Sequence, residues 1–147
     1  FYQLCSQYQK KEYEYLFLLP ASQFIYISQG DAEKIDNVND SSVFKETLEA
    51  FKLMGISVED QKSIFSLLSA IMHLGNVRIV NERKNESSSV ANNDDSIITV
   101  CDLLKVDEEH MRHWLCNKRI KTSSEVVNTP LPLTTVSLFN YFGQIRI

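Results

Sequence analysis

The chain has 147 residues, of which 44% are hydrophobic and 23% charged, a balance typical of one globular domain or part of one. Its net charge of -4 and pI near 5.4 argue against a general nucleic-acid-binding protein, which would carry a basic face. The sequence contains no run of 18 apolar residues, so it predicts no membrane span.

The first 30 residues are apolar and aromatic. Residues 1–14 are expected to end a helix that begins upstream, because the pattern opens at Phe1 without a capping residue. Residues 24–27 predict a short strand, which a turn at Gly30-Asp31 would end. No basic residues interleave with the aromatic rings here, which predicts packing and not base stacking for Tyr13, Tyr15, Phe17, Phe24 and Tyr26.

A first amphipathic helix is predicted over residues 43–54, capped from residues 40–42. Gly55 can adopt the left-handed conformation that ends a helix, and Ile56 can then fold back on the last turn as in a Schellman motif. The apolar face of this helix carries Phe44, Leu48 and Phe51.

A second helix follows so closely that the two predict an αα-hairpin with facing apolar surfaces. Ser57 is its N-cap, and Asp60 completes the start signal. His73 falls in its last turn, where a donor is favoured, and Gly75 is expected to end it in the left-handed conformation before a short strand at residues 77–79. The predicted buried stripe comprises Ile64, Leu67, Leu68, Ile71 and Met72.

Residues 81–96 are polar and lack a hydrophobic period, so we predict an exposed, mobile loop that is either functional or a tolerated insertion. One of residues 94–96 would cap a helix over residues 97–104. Asp107 would cap another over residues 108–116, with Met111, Trp114 and Leu115 on its buried side.

The region after this helix begins with cations, Lys118 and Arg119, at the C-terminal end where the helix dipole favours them. Residues 120–135 are predicted to be irregular, since Pro130 and Pro132 exclude a helix there.

Few residues are arranged for chemistry. His110, His113 and Cys116 are spaced by three, but each step of three turns back about 60° around a helix, so the outer two diverge by about 120°. We therefore disfavour a zinc site and expect His110 to be exposed and His113 to lie beside Trp114. The sequence has no phosphate-binding G-x-x-x-x-G-K-[ST], no G-x-S-x-G and no H-E-x-x-H, and its three cysteines suit buried thiols.

Four segments in register carry a family resemblance: FYQLC at residues 1–5, FKETLEAFKLMGIS at 44–57, QKSIFSLLSAIMHLGNV at 61–77 and DLLKVDEEHMRHWLCNKRI at 102–120. Together with the loop behind the last, they resemble the myosin motor domain over residues 1–135. HWLC and FYQLC are most similar to the class-five unconventional myosins.

The resemblance implies a mainly α-helical piece of the upper actin-binding part of a motor domain, with short β segments and incomplete as a domain. The parent would be an actin-activated ATPase, cytoplasmic and associated with the cytoskeleton. The family's phosphate loop and first switch would precede residue 1, and its second switch, relay and converter would follow residue 147. ATP and Mg²⁺ would therefore be cofactors of the parent motor, and this fragment alone is expected to be inactive.

The resemblance also implies which residues face the actin filament. Residues 81–96 fall where the family has a surface loop that can approach actin. Residues 119–135 fall at the family's cardiomyopathy loop, a principal actin contact, where we expect Arg119 and Lys121 to act. Glu125 falls where myosins carry an acidic or phosphorylatable residue, and the alternative for it is a solvated loop carboxylate.

Two further expectations concern the whole chain. Residues 136–147 depart from the family pattern, which suggests a truncated or misassembled gene product, and the remainder of the motor domain would be needed for folding. The alternative function is a small helical adaptor without motor activity. It would hold a partner on the faces formed by Phe44, Leu48 and Phe51 and by Ile64, Leu67 and Ile71.

Overall fold

A computed structural model describes residues 1–29, 38–81, 87–121, 125–132 and 136. The chain divides into two compact units, Phe1–Asn76 and Val77–Ile147. Within the described ranges the structure is mainly helical with two small antiparallel sheets, as expected, and none of these helices has the length and apolar character to cross a membrane.

The first unit is helical throughout its described part. Its elements are α1 (Tyr2–Cys5), two 3-10 helices (Lys11–Leu16 and Ala21–Gln23), α2 (Ile25–Ser28), α3 (Asp40–Leu53) and α4 (Val58–Gly75). The expected helix over residues 1–14 therefore ends at Cys5, and the remainder is turns and a 3-10 helix.

The strand predicted at residues 24–27 is wrong, because α2 occupies this segment. The Asn76 side chain provides the reason. Its Oδ1 accepts from the backbone N–H of Ile25 at 2.9 Å, and its Nδ2 donates to the carbonyl of Gln23 at 2.7 Å. A side chain thus satisfies backbone groups that a strand would present to a neighbouring strand. The turn predicted at residues 30–31 lies outside the described residues.

The predicted αα-hairpin is confirmed. α3 begins at Asp40, three residues earlier than expected, because Asn39 is its N-cap and accepts from the backbone N–H of Ser42. Gly55 has a φ of +74°, and Ile56 donates its N–H to the carbonyl of Phe51 at 3.0 Å, which makes the Schellman ending. The helices meet through the rings of Phe44, Phe51 and Phe65, with centroids 5.4 and 6.0 Å apart.

The buried stripe of α4 differs from the prediction by about one residue. Met72 is fully buried as expected, but Ile64 and Leu67 are 36% and 52% exposed. Phe65 is buried instead, because the rings of Phe44 and Tyr13 surround it. Ser69 and His73 complete the buried face, where both hydrogen-bond to backbone carbonyls.

The end of α4 also differs from the prediction. Ser57 is the N-cap, as expected, and accepts from the N–H of Asp60. Gly75, however, lies inside the helix and not in a left-handed C-cap. Its lack of a side chain serves packing, because a Cβ there would lie 2.7 Å from Cγ of Tyr26.

The described part of the second unit has two hairpins and two helices. Strands β1 (Ile79–Asn81) and β2 (Ser88–Val90) pair antiparallel, with Ile79 opposite Val90. Helices α5 (Asp95–Leu104) and α6 (Glu108–Cys116) follow, and strands β3 (Asn117–Lys121) and β4 (Val126–Pro130) then form the second antiparallel pair.

Three predictions for this unit are wrong. Residues 81–96 are not all loop, because β2 pairs with β1 and Asp94 caps α5. Residues 120–135 are not all irregular, since the second hairpin includes residues 120–121 and 126–130, with Pro130 tolerated at the strand's end. Trp114 is 44% exposed and not buried. Of residues 136–147 only Val136 is described, and it is buried.

Candidate functional site

The candidate site is the hairpin formed by β3 and β4. Strand β3 carries three cations, all of them exposed: Lys118, Arg119 and Lys121. Side chains alternate between the faces of a strand, so Arg119 and Lys121 share one face while Lys118 and Ile120 share the other. The structure therefore brings together the two cations that the sequence analysis assigned to actin binding.

The two faces of this hairpin differ in chemistry. Across the ladder, Arg119 is opposite Asn128 and Lys121 is opposite Val126, which makes a face with two cations, one amide and one exposed valine. On the other face Ile120 is opposite Val127, and these side chains are 40% and 41% exposed. One face thus carries two cations that suit an anionic surface, and the other carries one cation, Lys118, beside an uncovered apolar pair.

Glu125 lies at the same end of the hairpin as Lys121. It is exposed and immediately precedes Val126, the residue paired with Lys121. The carboxylate of Glu125 therefore belongs to the end of the hairpin at which Lys121 lies. Ser123 and Ser124, which adjoin it in sequence, lie outside the described residues.

The base of the hairpin is attached to the rest of the second unit by hydrogen bonds. The Asn117 side chain donates to the carbonyl of His113 at 2.8 Å, and the N–H of Leu131 donates to the carbonyl of Cys116 at 2.8 Å. The carbonyl of Leu131 accepts two bonds from Ser88, from its N–H at 3.2 Å and from its hydroxyl at 2.7 Å. The base of this hairpin therefore contacts the first hairpin.

The first hairpin is held by a buried carboxylate. Asp94 is 1% exposed and accepts from the backbone N–H and Nε of Arg78 at 2.8 and 3.3 Å. It also caps α5 by accepting from the N–H groups of Ser96 and Ile97 at 3.0 and 3.1 Å. Four donors around one carboxylate fix the segment between β2 and α5, which the sequence had suggested was mobile.

Arg112 links α6 to the end of β2. Its Nε donates to Glu108 at 2.7 Å, and its Nη1 donates to the carbonyl of Ala91 at 2.9 Å. A groove of about 390 Å³ lies beside these contacts, between β2 and α6. Sequence reasoning missed Arg112, although its spacing of four from Glu108 is that of a helical ion pair. It also missed Ser88, for which the sequence has no local signal.

The histidines of α6 are placed as predicted. His110 is exposed in the first turn, 3.2 Å from a carboxylate oxygen of Asp107, and the ring of His113 lies against Trp114 with centroids 4.8 Å apart. Among the described residues, no group of three His, Cys, Asp or Glu side chains is arranged to hold a metal ion.

Burial favours the neutral forms of the Cys5 thiol and the His73 imidazole. Cys5, Cys101 and Cys116 are buried thiols, as expected, and burial raises the pKa of Cys5 to about 11. Burial lowers the pKa of His73, whose Nε2 lies 2.9 Å from the carbonyl oxygen of Phe17. A carbonyl can only accept, so this nitrogen carries the proton of the neutral ring. His73 is therefore a donor in the last turn of α4, as the sequence predicted, but it lies in the core and donates to Phe17 and not to a carbonyl at the end of its own helix.

Comparison with known proteins gives consistent matches. A profile of the myosin head (motor domain) family matches residues 1–140. Unconventional myosin-Vc of Homo sapiens is 40% identical over 131 residues, which are 89% of this chain and 8% of that protein. Unconventional myosin-Vb of Homo sapiens is 38% identical over 136 residues, 92% of this chain and 7% of that protein. Myosin-2 of Saccharomyces cerevisiae is 35% identical over 127 residues, 86% of this chain and 8% of that protein.

Proposed function

This chain belongs to the myosin motor-domain family, and we propose that it supplies part of the actin-facing surface of an ATP-driven cytoskeletal motor. Its similarity to class-five unconventional myosins favours that class of motor, acting in the cytoplasm on actin filaments. The chain spans only 7–8% of the length of these relatives, so the motor's activity would need the rest of such a protein.

The family's cofactors, ATP and Mg²⁺, do not fit the residues of this chain. Its four glycines stand singly, so no glycine-rich loop can cradle a triphosphate. We therefore assign nucleotide binding and hydrolysis to other parts of the motor.

The observation that carries the proposal is the exposed basic face of the second hairpin. Arg119 and Lys121 are adjacent on that face, and a rigid ladder of five paired positions supports them. Exposed cations at the edge of an interface accelerate association and set its orientation, while contributing less to affinity than buried contacts. This face suits a first, steering contact with an anionic patch on a filament.

Glu125 would have a different role from the cations. It falls at the position where the family carries an acidic or phosphorylatable residue. A carboxylate there supplies constitutively the negative charge that phosphorylation would otherwise add. We infer that this surface is active without modification.

Exposed apolar side chains in the first unit support a need for the rest of the motor domain. Leu53 is 89% exposed at the tip of the αα-hairpin, and Leu67 is 52% exposed on α4. We expect other segments of a motor domain to cover them.

The alternative function, a helical adaptor, would bind its partner on two helix faces. The face that contains Phe44 is not available for this, because Phe44 is buried against Tyr13 and Phe65.

The test uses a class-five motor domain in which residues 1–135 of this chain replace the matching segment, called the chimeric motor domain below. Steady-state ATPase activity is measured against actin concentration for Arg119→Glu with Lys121→Glu. The control, Lys45→Glu with Lys62→Glu, makes the same change in net charge on exposed positions of α3 and α4.

The proposal predicts that the hairpin variant has a higher KM for actin, by about tenfold, and an unchanged kcat at saturating actin. The control variant keeps the parent values. Equal KM values for the hairpin variant and the parent would remove this hairpin from the actin-binding surface.

A further inference from the structure

We propose that Ser88 is a positioning residue that sets the orientation of the basic hairpin through the carbonyl of Leu131. This inference rests on the proposed function, since it concerns how the same hairpin is presented to actin. Ser88 lies outside the hairpin, and actin binding by the hairpin depends on it.

The hydroxyl and the backbone N–H of Ser88 both donate to the same acceptor. Its hydroxyl donates to the Leu131 carbonyl at 2.7 Å and its N–H donates to the same oxygen at 3.2 Å, across 43 residues of sequence. Ser88 is 6% exposed, so this hydroxyl has little access to water as a substitute partner. Loss of the hydroxyl would leave the Leu131 carbonyl with one long bond from Ser88.

Leu131 is the residue directly after β4, and its other backbone group is also engaged. Its N–H donates to the carbonyl of Cys116, the last residue of α6 and the neighbour of Asn117 at the start of β3. The backbone of Leu131 therefore joins the end of β4 both to the residue before β3 and to Ser88.

The hairpin has little other support within the described residues. Asn117 and Thr129, both near the base, are its only half-buried positions, and its other described residues are exposed. Each strand has five residues and extends about 16 Å at ~3.3 Å per residue. A tilt of about 10° at the base would thus move the far end by roughly 3 Å, about the length of a hydrogen bond.

The support for Ser88 is itself rigid. Ser88 pairs with Asn81 in the first hairpin, and Arg112 fixes the other end of β2 through the carbonyl of Ala91. The Arg112 side chain is in turn held by Glu108 on α6. Ser88 therefore connects the base of the second hairpin to a braced strand.

The test compares three variants of the chimeric motor domain. Ser88→Ala removes the hydroxyl and leaves the backbone bond. Ser88→Thr keeps a hydroxyl on the same carbon. Ser89→Ala is the matched control, since it deletes the same group one residue along, on the opposite face of β2. Each is measured for KM and kcat against actin, and by hydrogen exchange of the first hairpin.

We expect Ser88→Ala to raise the KM for actin by roughly two- to tenfold, the range that loss of one hydrogen bond gives, with kcat unchanged. Ser88→Thr restores the parent KM, and Ser89→Ala keeps it. Equal KM values for Ser88→Ala and Ser89→Ala overturn the inference. A lower kcat for Ser88→Ala together with faster hydrogen exchange in the first hairpin would indicate a structural defect and would also overturn the inference. The same holds if Ser88→Thr has the KM of Ser88→Ala.

Failure of this inference is separable from failure of the proposed function. If the charge reversal of Arg119 and Lys121 raises the KM while Ser88→Ala does not, the hairpin binds actin and Ser88 has no part in its orientation. If the charge reversal itself leaves the KM unchanged, the proposed function fails and the inference fails with it.

Discussion

Gly75 allows a prediction whose magnitude follows from the packing around it. A Cβ at this position would lie 2.7, 2.8 and 2.9 Å from Cγ, Cδ1 and Cδ2 of Tyr26, closer than real Cβ atoms approach their neighbours. These atoms belong to the inner part of the ring, so rotation of the side chain cannot move them far away. Gly75→Ala therefore forces α2 away from the end of α4.

The expected cost combines two opposing effects. Inserting a methyl group into a packed contact costs about 1–3 kcal/mol. Alanine in place of glycine returns up to about 1 kcal/mol of helix propensity, and less at the last residue of a helix. The net loss of about 1–2 kcal/mol corresponds to a roughly 5- to 30-fold larger population of the locally open state, and so to faster hydrogen exchange in this region.

The assay is hydrogen–deuterium exchange of the chimeric motor domain, followed in peptides that cover α2 and the end of α4. Gly55→Ala is the control, because Gly55 has a φ of +74° and open space around its Cα, so its cost comes from the backbone. Tyr26→Ala should abolish the effect of Gly75→Ala and leave that of Gly55→Ala unchanged. Equal effects of Gly75→Ala with and without Tyr26 would refute the packing argument.

Three further predictions use the same chimeric motor domain. Burial lowers the pKa of His73 from its ordinary 6.5, so the folded state binds fewer protons than the unfolded state and loses stability as pH falls below 6.5. Amide hydrogen exchange in α4, corrected for the intrinsic pH dependence of the exchange rate, should therefore become faster below pH 6.5. His73→Gln should remove this increase. Asp94→Ala should destabilise α5 by about 2 kcal/mol, seen as lost amide protection, whereas the exposed neighbour Asp95→Ala should change it by less than about 0.5 kcal/mol. Glu125→Ser should raise the KM for actin until the serine is phosphorylated; an unchanged KM would exclude Glu125 from the surface.

Features with local chemistry could be predicted from the sequence. Ser57 and Asp107 cap helices by bonds to backbone groups three residues away, and Gly55 ends one by its own conformation. Such interactions depend only on residues that are close in sequence, so the predicted positions of the main helices were largely correct. Family resemblance then supplied Arg119 and Lys121, which the structure places on one face.

Features set by distant residues could not be predicted. Phe65 is buried because Tyr13 and Phe44 reach it from other segments, which shifts the stripe of α4. Both faces of the β3–β4 hairpin are exposed, so the strands lack the apolar–polar alternation by which a strand is recognised. The contact between Ser88 and Leu131 depends on tertiary structure alone.

The central claim is that Arg119 and Lys121 contact an actin filament, and direct binding across ionic strength tests it best. Co-sedimentation with actin is measured for the parent chimeric motor domain and for Arg119→Glu with Lys121→Glu at a series of salt concentrations. We expect the two proteins to differ greatly in Kd at low salt. The difference should shrink as salt is added, because the Debye length falls to about 8–10 Å near physiological ionic strength and the exposed charges are then screened. Identical Kd values at the lowest salt would contradict it.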